Sequence, residues 1–196
     1  MELKSEMSET STSEMPRTRE IALTVPEDEV KVLWPNDDFQ ALGSPGWSVG
    51  CCFVLAGTGP RSAIIMANIP CPTLDEHQAR GTMPTDRTLD IELHLMTLVR
   101  RAIGIFIKHQ EQFQHSRTWL MIDRHQYPGW ADIVQYRTQH ALRHLGLETE
   151  VLDRATQAQE PLTLAPSRRA VVVLKNDMGP PDVYLGGSLV YPRYLS

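Results

Sequence analysis

The chain is poor in cysteine, has no basic excess and lacks any long apolar run, and each shortage excludes something. Three cysteines are an odd number and cannot close into a disulfide framework, and no apolar stretch near the N-terminus reads as an export signal. A cytoplasmic protein with reduced thiols is the expectation. With 24 acidic and 19 basic residues the formal charge is −5, opposite in sign to the footprint of a nucleic-acid binder. No run reaches the roughly 18 apolar residues that would span a bilayer, so no membrane partner is expected. No P-loop, Rossmann glycine pattern or CxxC pair occurs, so no cofactor is expected.

What is there describes an ordinary globular chain of 196 residues with 41% apolar and 22% charged side chains, enough for one domain with its own core. Residues 1–18 are rich in Ser, Thr, Glu and Met and read as a disordered tail, because they cannot bury enough apolar surface to offset their ordering entropy. The domain then spans 19–196. Short β-prone runs at 21–25 and 30–34 flank a turn at Pro26–Asp28, and the turn-rich stretch 35–46 reads as a surface loop. Trp47–Leu55 and Ser62–Ile69, joined by "AGTGPR", predict an antiparallel hairpin with both faces covered, since neither run alternates with polar residues.

A loop with three prolines follows, and then Ile91, Leu95, Leu98, Ala102 and Ile105 mark one face of a helix over 86–114. At 1.5 Å per residue it runs about 40 Å, enough to cross a sheet. "TWLMID" (118–123), a helix over 131–145 ended by Gly146, and the alternating "LETEVL" (147–152) predict a strand–helix–strand unit whose second strand lies at an edge. "RAVVVLK" (169–175) and a closing hairpin turning at Gly186-Gly187 complete the elements. The expected fold class is α/β: a mixed β-sheet sandwich with helices packed on it.

The chemistry concentrates in "WSVGCCFVLAGTGPRSAIIMANIPCP" (47–72). Cys51 and Cys52 point to opposite faces of their strand, so at most one faces a given pocket. Either could act as a nucleophile if a base and a stabilised thiolate were at hand. Either could equally be a small buried hydrophobe.

"VGCCFVLAG" followed by "SAIIMANIPCP" resembles the nucleophile hairpin of the chemoreceptor glutamine deamidase (CheD-like) family and of fungal proteins with the same outline; "PPDVYLGGSLVYP" near the C-terminus is similar to the fungal members. The resemblance implies a CheD-like domain over 19–196 and a Cys/His pair, helped by an upstream Thr, that hydrolyses glutamine side chains. Asn68 stands at the family's His position, and an amide nitrogen cannot accept a proton as imidazole does. The Gly-x-Cys pattern selects Cys52, whereas the seventeen-residue spacing to Asn68 selects Cys51. Just upstream, "LGSPGWS" (42–48) offers Ser44 and Ser48 but no Thr.

The candidate catalytic set is therefore Asn68, Cys52, Cys51 and His77, the nearest histidine in the following loop. Asn68 enters as an oxyanion-type donor or as a residue satisfying a strand end. Trp47 and Ser48 beside the hairpin, with Asp123 and His125 where the 118–123 strand ends, form the candidate substrate rim. His140 and His144 share one helix face but lack the Glu of H-E-x-x-H, and read as a solvated or half-buried flank rather than a metal site. The leading expectation is a small-molecule isomerase or cyclase of a fungal biosynthetic route on a deamidase-like scaffold. A catalytically silent binding module and a cysteine-dependent amidase or deamidase are the alternatives, with homodimer formation left open.

Overall fold

The computed structural model describes residues 22–44, 50–59, 61–70, 85–124, 128–153, 170–176, 179–186 and 188–191. Along these residues run β1 (Ala22–Thr24), β2 (Glu29–Leu33), β3 (Ala41–Ser44), β4 (Gly50–Ala56), β5 (Ile64–Pro70), α1 (Thr85–Lys108), β6 (Arg117–Ile122), α2 (Pro128–Arg143), β7 (Thr149–Asp153), β8 (Val171–Leu174), β9 (Asp182–Leu185) and β10 (Ser188–Tyr191). The strands form two mixed five-stranded sheets, ordered β1-β3-β8-β9-β10 and β2-β5-β4-β6-β7.

The layers follow from the apolar runs. In β4, Cys51, Phe53 and Leu55 point to one side, where they meet Leu95, Val99 and Ala102 of α1 and Val134 and Leu142 of α2. The alternate residues Cys52, Val54 and Ala56 meet the other sheet, at Leu42, Val171, Val173, Val183 and Tyr191. A strand with apolar residues at every position must be covered on both faces, and here one cover is helical and the other is a sheet. The result is three layers: helices, the β4-centred sheet, and the β8-centred sheet. Trp119, wholly buried, fills the space between the sheets and packs on Tyr191 with ring centroids 4.9 Å apart.

The hairpin forms as expected, with β4 and β5 antiparallel and adjacent. β6, α2 and β7 make the strand–helix–strand unit, with β6 and β7 parallel and β7 at the sheet edge. The sandwich is built from two sheets, because the β8-centred strands pair among themselves and stack on the hairpin instead of extending its sheet. Two expectations change. Within the stretch read as a surface loop, Ala41–Ser44 is a strand held between β1 and β8. The long helix ends at Lys108, and a 3-10 turn at Gln110–Gln112 takes up the remainder of the predicted span. No helix among the described residues is long and apolar enough to cross a membrane.

Candidate functional site

Strand register separates the two cysteines. Cys52 lies directly opposite Asn68, whereas Cys51 lies opposite Ile69. Directly opposed residues share a face, so Cys52 and Asn68 both look toward the β8-centred sheet and Cys51 looks into the helix-side core. The geometry groups Asn68 with Cys52 and sets Cys51 apart.

Asn68 is fully buried and bridges the two sheets. Its Nδ2 donates to the hydroxyl of Ser44 on β3 at 3.0 Å and to the carbonyl of Val25, just beyond β1, at 3.3 Å. Its own backbone carbonyl accepts from the N–H of Asp28 at 2.8 Å, and Asp28 closes the β1–β2 turn with a left-handed φ of 65°. An Asn amide carries two hydrogens, and both are committed. The oxyanion-donor role therefore has no free N–H in this arrangement. What Asn68 offers instead is an acceptor, because its Oδ1 is buried without a hydrogen-bond partner.

The thiol of Cys52 has no solvent exposure, and burial pushes its pKa far above the ordinary thiol value. A neutral thiol is a poor nucleophile. Ser44, 2% exposed, completes a compact Cys52–Asn68–Ser44 group that is polar at its centre and apolar around it, with Val54, Met66, Met121 and Val171 in the same core.

Beside this group, the end of β6 carries a second polar assembly. Arg124 Nη1 binds Asp153 Oδ2 at 3.2 Å, its Nε binds Asp132 Oδ1 at 3.3 Å, and its Nη2 binds Gln135 Oε1. One guanidinium so ties the ends of β6 and β7 to the first turns of α2. Asp123, half-buried, immediately precedes it. The sequence pointed to this strand end through Asp123 and His125; Asp153 was missed, because only the register Ile122↔Asp153 brings it there. Trp47, Ser48, His77 and His125 lie outside the described residues. Among the described residues no group of three or more His, Cys, Asp or Glu could hold a metal. A cleft of about 590 Å³ opens at the opposite end of β6 and β7, lined by His115, Arg117, Gly146, Glu148 and Glu150 among others.

Fold and site thus define a three-layer α/β protein with a sealed Cys–Asn–Ser group between its sheets. In comparison with known proteins, no protein-family model matches the chain, and no curated protein matches it significantly.

Proposed function

We propose that this chain is a binding module for a small molecule on a deamidase-like scaffold, in which the hairpin thiol has become part of the core. The observation that carries the reading is the commitment of the Cys52–Asn68–Ser44 group to structure: both amide hydrogens of Asn68 join the sheets, and Cys52 is a buried, neutral thiol. A thiol hydrolase needs a thiolate and a base, and Asn68 supplies no base. The resemblance of the hairpin to the glutamine deamidases supports the scaffold, and the Asn at the His position supports the loss of hydrolysis. The acidic balance and reduced thiols suit a cytoplasmic protein.

A second reading, a cofactor-independent isomerase or cyclase, is favoured by one feature. The unpartnered Oδ1 of Asn68 is an acceptor beside a neutral S–H, a pair able to orient a ligand hydroxyl if the sheet ends part.

The test uses the protein purified from its native cells. A small molecule released on denaturation is returned to fresh protein, and the mixture is analysed by chromatography and mass spectrometry. Recovery of the molecule unchanged is expected; conversion to an isomer of the same mass would establish the second reading. Ammonia release from a glutamine-containing peptide that disappears in Cys52→Ser would overturn both.

A further inference from the structure

We propose that His140 and His144 form a bidentate surface site for a borderline divalent transition metal of the Ni²⁺, Cu²⁺ or Zn²⁺ type. Want of a neighbouring Glu set this pair aside in the sequence; the geometry of the rings reopens it. His140 lies in the last turn of α2 and His144 just beyond its end, both exposed. Their imidazole centroids are 5.0 Å apart with planes inclined at 78°.

That separation suits a shared ion. With metal–nitrogen bonds of about 2.0–2.1 Å and a ring nitrogen about 1.2 Å from its centroid, each centroid sits about 3.2 Å from the ion. Two centroids 5.0 Å apart then subtend an angle of about 100° at the metal, close to the tetrahedral value. Turning the rings about their own side-chain bonds would aim the nitrogens without moving the helix.

Imidazole is a ligand for Zn, Cu and Ni and not for Mg or Ca, which fixes the class of ion. Since no third protein ligand joins the pair among the described residues, water fills the remaining positions. Tyr136, one turn earlier with its ring 6.1 Å from that of His140, flanks the site. The i, i+4 alignment exists only while this end of the helix is folded, so the ion binds the native chain in preference to the unfolded one.

The experiment titrates Ni²⁺, with Mg²⁺ as control, into the untagged full chain by calorimetry and follows thermal unfolding in parallel. One saturable Ni²⁺ equivalent is expected, with no response to Mg²⁺. Affinity should fall at least tenfold in both His140→Ala and His144→Ala and stay within twofold in His109→Ala. Ni²⁺ should raise the unfolding temperature of the wild-type chain and of His109→Ala, but not of the other two variants. Wild-type affinity in either the His140 or the His144 variant, or no saturable binding below millimolar Ni²⁺, overturns the site.

Discussion

Replacing Asn68 with Ala tests whether the hairpin's polar residue is a structural bridge. The substitution removes two donated hydrogen bonds, to Ser44 Oγ at 3.0 Å and to the Val25 carbonyl at 3.3 Å. Each is worth about 0.5–1.5 kcal/mol net, so the pair contributes about 1–3 kcal/mol. The cavity left by the amide adds about 1 kcal/mol. Removal of the unpartnered Oδ1 returns about the same amount, since a buried acceptor without a donor is itself unfavourable. The net loss is about 1–3 kcal/mol, which for a domain of this size lowers the unfolding midpoint by roughly 3–10 °C.

Urea denaturation read at constant slope gives the number directly. A double-mutant cycle with Ser44→Ala should return a coupling of about 0.5–1.5 kcal/mol. Asn68→Asp, nearly the same size, should be worse than Ala, because it sets a second oxygen against the Val25 carbonyl and buries an acid. An Ala variant within about 0.5 kcal/mol of wild type, or an Asp variant more stable than Ala, would refute the bridge.

Further outcomes follow from neighbouring features. Native alkylation of Cys52 should be slow at pH 8 and become fast only in denaturant, as followed by mass spectrometry of the labelled peptide. Because burial raises the folded thiol's pKa, the folded state keeps a proton that the unfolded state releases above about pH 9; stability should therefore decline there by about 1.4 kcal/mol per pH unit, and Cys52→Ala should flatten that slope. Gly57→Ala would set a Cβ 2.9 Å from the Gln112 carbonyl oxygen and the Phe113 Cα; a loss of about 1–3 kcal/mol in urea denaturation is expected, because the backbone of that segment must shift. Trp119→Ala should cost about 3–5 kcal/mol and quench the near-ultraviolet dichroism of the Trp119–Tyr191 pair.

Elements whose signal is local are legible in the chain alone. Continuous apolar runs with a glycine-rich turn between them specify β4 and β5 as a two-sided hairpin, and the 3.6-residue stripe from Leu95 to Ala102 specifies α1 over its buried face. Gly146, with φ of 70°, marks the end of α2 where a left-handed residue is needed. That Asn68 cannot be a base is likewise legible in the chain, since it is a matter of the side chain's chemistry alone. The remainder depends on how the layers pack. The choice between Cys51 and Cys52 turns on which face of β4 meets which layer, and side-chain alternation gives two equal answers until the partner sheet is in place. Four residues, Ala41–Ser44, become a strand only because β1 and β8 lie on either side to bond them. Asn68 becomes a bridge through Val25 and Ser44, forty-three and twenty-four positions earlier in the chain, and Arg124 finds Asp153 twenty-nine positions later. No local pattern encodes such pairings, because they arise when separate strands stack and bring their ends together.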